Sequence, residues 1–431
     1  LPFNCHLFSP PCASSHRIPS DSNVNRGETK VASALHSAVF NGIRKRLWWH
    51  GVSSVSTMPK PDPTAQSPFI IKSRVLAADG KKATLYRTNM YQNAPITKFF
   101  ITSILLNCWV FIQGLGLMWL LWCILPRWLS SSIFGIYAVS YIVHRPQDTG
   151  KGRWGWLMKR PSILAIMEYF AMGVLVEDGV DFQPDRQYLI GLHPHAAHCF
   201  GSLPFSSLSE HNPLFALFPE FLNKLRLGGA TVLFYLPFIR EMLYTSGWVL
   251  ASRKVLEKQL ARGGNVGLII GGEAESIASE NLKDKVVIEG RKGFVRLALR
   301  YGAELVPTYT FYLNETFHFD PSLAAAPRHW LQRNLKVCLP VLWGLCYTPA
   351  PRPAVLLLAI GQPIPVPTRP GRDPSEPVDE AVVDRIHAQY VSELQRLFEA
   401  YKSAAGYAPH RKLEILRAPE ADKEGGGRRE K

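Results

Sequence analysis

The feature that most constrains this chain is Phe99–Pro126, a run of 28 residues that contains no charged side chain. A helix needs about 20 apolar residues to span the core of a bilayer, so this run is long enough to cross a membrane. A second apolar run, Trp128–Val143, follows Arg127, and basic residues flank the pair on both sides. This charge distribution predicts a transmembrane hairpin over residues 96–145 with both ends in the cytosol. The alternative interpretation, a buried core helix, requires an unusually long uncharged helix.

The two ends of the chain differ in composition from a folded domain. The N-terminal part is rich in Ser, Arg and Lys, and before residue 60 its only acidic residues are Asp21 and Glu28. This composition is typical of an organelle transit peptide, while a translated leader followed by a true start at Met58 explains it equally well. We therefore exclude residues 1–60 from the fold and interpret the rest of residues 1–95 as a polar N-terminal lead-in. The charged, Gly-rich residues 417–431 are predicted to be disordered.

The overall composition excludes several classes of protein. The net charge of +15 is spread along the chain and no nucleic-acid-binding motif accompanies it, so nucleic acid is not an expected partner. The positive charge suits anionic lipid headgroups and phosphate-bearing substrates. The seven cysteines are scattered without CxxC spacing. They predict neither a disulfide framework nor a zinc site, and they favour a reducing compartment.

Beyond residue 146, apolar runs of strand length alternate with amphipathic segments of helix length. This alternation predicts an α/β domain over residues 146–416, with a parallel or mixed sheet and flanking helices. The predicted strands are Tyr188–Leu192, Thr231–Tyr235, Val266–Ile270, Glu304–Phe311 and Val355–Ile360. The predicted helices are Thr245–Ala261, Lys292–Tyr301 and Val378–Tyr401. Residues 154–179 are interpreted either as a helix near the membrane surface or as a core helix.

The first polar cluster, His193-Pro194-His195, directly follows a predicted buried strand. In α/β proteins the carboxyl ends of strands commonly carry the chemistry, and Pro194 stiffens the backbone between the two imidazoles. Imidazole titrates close to neutral pH and can accept and return a proton. The cluster therefore predicts a catalytic base.

Two further clusters contain the groups that a histidine base requires. Gly271-Gly272-Glu273-Ala274-Glu275-Ser276 follows a strand, and its preferred carboxylate is Glu275, with Glu273 as the rival. A carboxylate can fix the tautomer of the histidine and stabilise its imidazolium. Gly271, Gly272 and Ser276 are expected to lie against the substrate, since glycine permits close backbone approach. Arg291 and Lys292 open a predicted helix, where anions such as the phosphates of a nucleotide-type carrier are favoured.

Other chemistries fit the motifs less well. His193, His195 and His198 could ligate zinc, but no HExxH or Cys/His set completes such a site. The glycines at 263–267 precede their strand rather than follow it, which does not match a dinucleotide-binding loop. No GxSxG motif is present, which weakens a serine-hydrolase interpretation. No metal and no cofactor are therefore expected.

Several longer motifs together resemble those of the type 2 diacylglycerol acyltransferase family, which includes monoacylglycerol and wax-ester acyltransferases. The resemblance covers roughly Tyr91–Tyr407. The matching segments are YLIGLHPH at 188–195, IRE at 239–241, SGW at 246–248, SR at 252–253, GGEAES at 271–276, RKGFVRLALRYGAELVP at 291–307 and IGQPI at 360–364. The segment at 291–307 is the most specific of them.

The resemblance implies a glycerolipid-acyltransferase fold and transfer of an acyl group from acyl-CoA, as co-substrate, to diacylglycerol. His195 matches the second histidine of the family's His-Pro-His-Gly motif, and Glu275 matches the glutamate of Gly-Gly-x-x-Glu-Ser. His195 is then the base, His193 supports the turn, and no covalent acyl-enzyme forms. Monoacylglycerol or a fatty alcohol is the alternative acceptor, and a catalytically weak lipid-binding homologue is the alternative of a different class.

The resemblance also implies a place in the cell and shows two departures. The expected location is the endoplasmic reticulum membrane or the lipid-droplet surface, or the plastid envelope if the N-terminus is a transit peptide. The bilayer is an expected partner, and a homo-oligomer is left open.

Ala196 replaces the family's glycine after His-Pro-His, and FYLNE at 311–315 replaces Phe-Gly-Glu-Asn-Glu. If residue 196 requires a positive φ, alanine is strained there.

Overall fold

The computed structural model describes residues 69–91, 94–105, 107–319, 326, 342–348, 350–367, 373–374 and 376–418. The predicted leader up to residue 57 and the part of the predicted tail beyond residue 418 lie outside these residues. Two strands, Ile70–Leu76 and Lys82–Thr88, fall within the segment that the sequence analysis interpreted as a polar lead-in. The two strands pair with each other and the second joins the main sheet.

The described residues are organised around a mixed sheet of nine strands. In chain order, the strands are β1 Ile70–Leu76, β2 Lys82–Thr88, β3 Gly173–Glu177, β4 Tyr188–His193, β5 Leu225–Gly229, β6 Trp248–Leu250, β7 Asn265–Leu268, β8 Asp284–Glu289, β9 Glu304–Phe311, β10 His318–Phe319, β11 Leu342–Trp343, β12 Leu357–Ile360 and β13 Leu413–Arg417. The strand order in the main sheet is β1-β2-β3-β12-β9-β4-β7-β5-β6. Two short sheets, β10 with β11 and β8 with β13, lie outside it.

Helices connect and flank these strands. In chain order they are α1 Pro95–Leu105, α2 Asn107–Ile124, α3 Arg127–Val143, α4 Gly155–Met158, α5 Ser162–Tyr169, α6 Leu203–Ser206, α7 Pro213–Leu217, α8 Pro219–Lys224, α9 Ile239–Thr245, α10 Arg253–Leu260, α11 Gly272–Ala278, α12 Gly293–Tyr301 and α13 Glu380–Tyr401. The α13 helix begins at an Asp379 side chain that accepts a hydrogen bond from the Ala381 N–H, which satisfies one of the free donors of its first turn.

The centre of the sheet consists of strands that are buried on both faces. β4 is buried at all six positions, and it pairs in parallel with β9 on one side and β7 on the other. Such continuous apolar strands are typical of a parallel sheet covered by helices. The carboxyl end of β4, where His193 lies, is therefore at the middle of the sheet and not at an edge.

The predicted mixed α/β fold is confirmed, and several elements match closely. The strand predicted over Glu304–Phe311 has these bounds as β9, and the last predicted helix begins two residues later as α13. Thr231–Tyr235 was wrongly predicted as a strand and forms a 3₁₀ helix, because only Phe234 of this run is buried.

Two predicted helices were wrong in extent. The helix predicted over Thr245–Ala261 is interrupted by β6 before α10 begins, and Gly247 adopts φ +91° at the interruption. Residues 154–179 do not form one helix but α4, α5 and β3, a strand whose five residues are all buried. Apolar composition alone does not distinguish a buried strand from a buried helix.

The long apolar run forms successive helices. None of the helices formed by the described residues is long and apolar enough to cross a membrane, so the predicted transmembrane hairpin is not found. The run is divided between α1 and α2, and Pro126 separates α2 from α3. The α2 helix has 18 residues, which at 1.5 Å per residue gives about 27 Å, slightly less than a bilayer core of about 30 Å.

The α2–α3 pair is attached to the sheet domain through the start of α9. The ring of Phe238 packs against Gly114 of α2 and stacks on Tyr137 of α3 at 5.6 Å between ring centroids. The Tyr137 hydroxyl donates to Glu241 Oε2 at 2.8 Å, and the same oxygen accepts the Phe238 N–H at 2.9 Å. Arg240 of α9 is 2% exposed and donates to Ser140 Oγ at 2.7 Å. These contacts hold the helix pair in a fixed position on the domain.

Candidate active site

The His-Pro-His loop lies at the carboxyl end of β4, as the sequence predicts. The peptide bond between His193 and Pro194 is cis. Ala196, which directly follows His195, is fully buried and has φ +52°. The condition under which the sequence analysis expected strain is therefore met, and alanine occupies a backbone conformation that glycine adopts at lower cost.

The imidazole of His195 is held as a proton acceptor. Its Nδ1 lies 2.7 Å from the Ala196 carbonyl oxygen. A carbonyl oxygen can only accept, so Nδ1 carries the proton and Nε2 keeps a free lone pair. Burial lowers the pKa of His195 below its ordinary value, so the ring is neutral near pH 7. This combination of tautomer and charge is what a general base requires.

The Glu275 carboxylate contacts the backbone of His195 and not its imidazole. Its Oε1 accepts a hydrogen bond from the His195 backbone N–H, and its Oε2 accepts one from the Val287 N–H of β8 at 3.0 Å. The sequence analysis expected Glu275 to fix the tautomer of His195, but the Ala196 carbonyl does so. Glu275 instead holds the position of the loop. The rival carboxylate, Glu273, is only half-buried, whereas Glu275 is fully buried.

The burial of Glu275 makes its charge costly. Burial raises its pKa from 4.5 to about 7, although the two backbone N–H donors and the nearby Arg291 guanidinium act in the opposite direction. A buried carboxyl group with such a pKa is typical of a functional site. At pH 7 the acid is therefore close to half-ionised.

Gly271 provides the space that the Glu275 side chain occupies. A Cβ at residue 271 would lie 1.7 Å from Glu275 Oε2. Any side chain at this position would therefore displace the carboxylate. Gly272 adopts φ +50° at the start of α11, and a Cβ there would lie 3.9 Å from an Arg291 Nη1. The Gly-Gly pair thus permits both the turn and the position of the acid.

His193 lies in a different environment from His195. It is 1% exposed, and burial lowers its pKa to about 3, so it is neutral at any working pH. Its Nε2 lies 3.2 Å from the hydroxyl of Tyr390 on α13. The sequence analysis predicted the helix that carries Tyr390 but not this contact. His193 and Tyr390 lie far apart in the sequence, and the apolar spacing of α13 predicts only core packing for Tyr390. Neither feature indicates the hydrogen bond.

The predicted anion-binding residues are placed differently from each other. Lys292 forms an ion pair with Asp384 of α13, so its charge is already neutralised. Arg291 lies close enough to Glu275 to lower the pKa of that acid. Ser276 is 4% exposed and is one of the buried residues of α11. Of the predicted substrate-binding residues, Gly271 lies directly against the Glu275 carboxylate and Arg291 acts on its charge.

The altered segment at residues 311–315 keeps a backbone that suits the lost glycine. Tyr312, which stands where the family has glycine, adopts φ +63°. Asn314 donates to the Lys283 carbonyl at 2.8 Å, and Glu315 accepts from Arg411 at 3.0 Å. Both departures from the family pattern therefore replace a glycine by another residue without removing the left-handed backbone.

The remaining alternative for the histidines was a metal site. Among the residues that the structure describes, no group of three or more His, Cys, Asp or Glu side chains is arranged to hold a metal ion. His198, the third histidine of the motif, stacks on Phe200 at 5.3 Å between ring centroids.

A histidine held as a proton acceptor beside a buried acid, at a strand end of an α/β domain, is the arrangement of an enzyme that uses general-base chemistry. The sequence profile described as diacylglycerol acyltransferase matches residues 122–416, which is more than half of the chain. The chain belongs to the diacylglycerol acyltransferase family and is an acyltransferase of that family.

Individual relatives agree with this family. The chain is 31% identical over 279 residues to human 2-acylglycerol O-acyltransferase 3, covering 62% of this chain and 79% of the relative. It is 28% identical over 332 residues to human acyl-CoA wax alcohol acyltransferase 1, covering 73% and 97%. It is 32% identical over 251 residues to diacylglycerol O-acyltransferase 2 of Xenopus tropicalis, covering 54% and 66%. No solved structure gives a significant match.

Proposed function

We propose that this protein transfers a fatty acyl group from acyl-CoA to the free hydroxyl of diacylglycerol and so forms triacylglycerol. The observation that carries the proposal is the neutral His195 ring, whose Nδ1 is committed to the Ala196 carbonyl and whose Nε2 is available for a proton. Membership of the diacylglycerol acyltransferase family supports the acyl-transfer chemistry.

The reaction follows from the single free nitrogen of His195. As the acceptor hydroxyl oxygen attacks the thioester carbon, Nε2 removes the hydroxyl proton. A C–O bond forms, the C–S bond breaks, and CoA leaves as a thiolate. The imidazolium then returns its proton to the thiolate or to solvent. The thiolate is a good leaving group, so positioning and proton removal are the main contributions of the enzyme.

The backbone hydrogen bond from His195 to Glu275 supports this step by fixing where the base lies. A displacement of the base by about 1 Å costs on the order of 100-fold in rate. Arg291, whose charge acts on Glu275, is the residue that we expect to contact the phosphates of acyl-CoA, because a guanidinium binds phosphate oxygens in a bidentate manner.

A bilayer is the expected source of the acceptor. The α2–α3 pair exposes many large apolar side chains: Ile112, Leu115, Leu117, Trp119, Leu120, Trp122, Ile124, Trp128, Ile133, Ile136, Val139, Ile142 and Val143. An exposed apolar surface of this extent is unfavourable in water and suits contact with lipid. We place the protein at the endoplasmic reticulum membrane or the lipid-droplet surface with the sheet domain in the cytosol, or at the plastid envelope if residues 1–57 are a transit peptide.

The acceptor is the least constrained part of the proposal. Relatives named for 2-acylglycerol and for wax alcohol are about as similar to this chain as those named for diacylglycerol. Monoacylglycerol and fatty alcohol are therefore the second candidates.

The test is expression in cells that lack triacylglycerol synthesis, followed by an assay of their membranes with labelled acyl-CoA and each of the three acceptors. We expect triacylglycerol to form, and His195→Ala to abolish its formation without loss of protein level. Product formation with monoacylglycerol or fatty alcohol alone would reassign the acceptor. Wild-type rates in the His195→Ala variant would refute the assignment of the base, and no product with any acceptor would favour a lipid-binding homologue.

A further inference from the structure

The mechanism above leaves one buried pair beside the base without a role. Tyr390 and His193 are 0% and 1% exposed, and the tyrosine hydroxyl lies 3.2 Å from Nε2 of the imidazole. The fold makes room for this contact. A Cβ at Gly191 of β4 would lie 1.8 Å from the Tyr390 hydroxyl oxygen. The tyrosine therefore reaches across β4 at a position without a side chain in order to meet the histidine.

The direction of the hydrogen bond follows from the partners of the hydroxyl. Burial raises the pKa of Tyr390 well above its ordinary value, so the hydroxyl keeps its proton. Nε2 of His193 is the hydrogen-bond partner that the described residues give this hydroxyl. A buried O–H without another acceptor donates to the acceptor within reach. Tyr390 therefore donates to Nε2, and the neutral imidazole carries its own proton on Nδ1.

The other nitrogen of this ring has no partner. Nδ1 of His193 is buried and makes no hydrogen bond with the described residues. A buried N–H donor without an acceptor costs about 1–3 kcal/mol, and such a donor in an active site calls for an explanation. His193 also cannot replace His195 as the base, because its acceptor nitrogen is occupied by Tyr390.

We propose that His193 is a catalytic hydrogen-bond donor whose Nδ1–H contacts the thioester carbonyl oxygen as negative charge develops on it, and that Tyr390 is the positioning residue that fixes this tautomer. The inference rests on the proposed acyl transfer. No proton is transferred in this role, and His193 stays neutral throughout. A neutral donor aimed at a developing oxyanion in a water-poor site stabilises the transition state more than the ground state. The two histidines of the loop thus divide the work: one accepts a proton and the other donates a hydrogen bond.

The first experiment compares His193→Asn with His193→Ala in the membrane acyltransferase assay. An asparagine amide N–H lies close to the position of Nδ1–H, whereas alanine removes the donor. Loss of one oxyanion donor lowers kcat by about 100-fold or more. We expect that loss in the alanine variant, a recovery of at least tenfold in the asparagine variant, and an unchanged KM for acyl-CoA in both.

The second experiment removes the Tyr390 hydroxyl. Tyr390→Phe is expected to lower kcat by about tenfold, to leave KM unchanged, and to have no further effect in the His193→Ala background, because the hydroxyl acts only through the histidine. The matched control is Tyr401→Phe on the same helix. Tyr401 is equally buried, and its hydroxyl donates to Glu177 at 3.0 Å, so this variant loses a buried hydrogen bond and should keep wild-type kcat.

The pH profile separates donor from base. Because His193 is neutral in both proteins, Tyr390→Phe should lower the rate by the same factor at every pH and leave the acid limb in place. Equal activities of the His193→Asn and His193→Ala variants, a shifted acid limb in Tyr390→Phe, or additive losses in the double variant would overturn the donor role while His195→Ala still tests the base. An inactive wild type would overturn the proposed function, and this inference with it.

Discussion

Glu275→Gln is expected to raise stability at pH 8 and to lower activity. Glu275 is fully buried, and burial raises its pKa from 4.5 to about 7. One pKa unit corresponds to about 1.4 kcal/mol. The difference between the unfolded-state and folded-state pKa of Glu275 therefore corresponds to about 3 kcal/mol in the free energy of unfolding. The pKa is higher in the folded than in the unfolded state. The contribution is therefore complete below about pH 4.5 and is lost as the pH rises through 7.

Glutamine resembles the protonated acid at every pH. Like the protonated carboxyl group, its amide has one acceptor oxygen and one donor group. The variant should therefore match the wild type near pH 4.5 and exceed it by about 3 kcal/mol at pH 8. The ionised carboxylate accepts both the His195 and the Val287 N–H, and the amide can accept only one. The loop is then held less firmly, and we expect kcat to fall by about 100-fold.

The assay is thermal unfolding of the purified protein in detergent at pH 4.5, 6 and 8, alongside acyl transfer in membranes. A gain of about 3 kcal/mol in a domain of this size raises Tm by roughly 4 °C. Glu177→Gln is the control, because Glu177 is 2% exposed but has a charged partner, Arg396 at 2.7 Å. Removing one partner of a buried ion pair is destabilising, so this variant should lose Tm at pH 8. If Glu275→Gln lost the same Tm at all three pH values, the reasoning about a costly buried charge would be refuted.

Three further substitutions test the surroundings of the site. Gly271→Ala should displace the Glu275 carboxylate and reduce kcat about as much as Glu275→Gln does, as measured by initial rates in membranes. Ala196→Gly should change the unfolding free energy by less than about 1 kcal/mol, because relief of the left-handed backbone is offset by the loss of a buried methyl group and by the greater freedom of glycine when unfolded. Arg291→Ala should raise the KM for acyl-CoA, and Lys292→Ala should affect it less because of its ion pair with Asp384.

Controls for these substitutions are available within the chain. Gly116 of α2 has no atom within 4 Å of an added Cβ, so Gly116→Ala should leave kcat unchanged. Full activity of Gly271→Ala would mean that the carboxylate position is not required. A loss of several kcal/mol in Ala196→Gly would show that the methyl group matters more than the backbone. Equal KM changes for both cation variants would contradict the assignment of the acyl-CoA phosphates to Arg291 and not to Lys292.

The parts of the fold that could be predicted are those in which one strong pattern acts alone. β4, β9 and α13 have long, regular apolar patterns, and the sequence predicts each within about two residues. Thr231–Tyr235 and Thr245–Ala261 failed because tertiary context decided them: the first is mostly unburied, and Gly247 interrupts the second. The apolar run that begins at Phe99 shows that a missing charge does not specify where a helix begins and ends.

The site could be predicted at the level of residue types but not of contacts. The strand-end positions of His195 and Glu275 correctly suggested that they meet. Glu275 holds the backbone of the loop, and the Ala196 carbonyl fixes the His195 ring. Both contacts depend on the left-handed conformation of Ala196, which an alanine in the sequence does not predict. Tyr390 was hidden for the opposite reason, since its position within an apolar stripe looks like ordinary core packing.

The position of β13 has a consequence for the order in which the site can form during synthesis. β13 pairs in parallel with β8, with Leu416 opposite Val287, the residue whose N–H holds the second oxygen of Glu275. Tyr390 on α13, which contacts His193, also lies far downstream of the loop. A nascent chain can thus complete α2, α3 and β4 while both of these supports are still unsynthesised. The α2–α3 pair is made well before the loop can be held in place, so the lipid contact that we propose for its exposed apolar surface would form before the onset of activity.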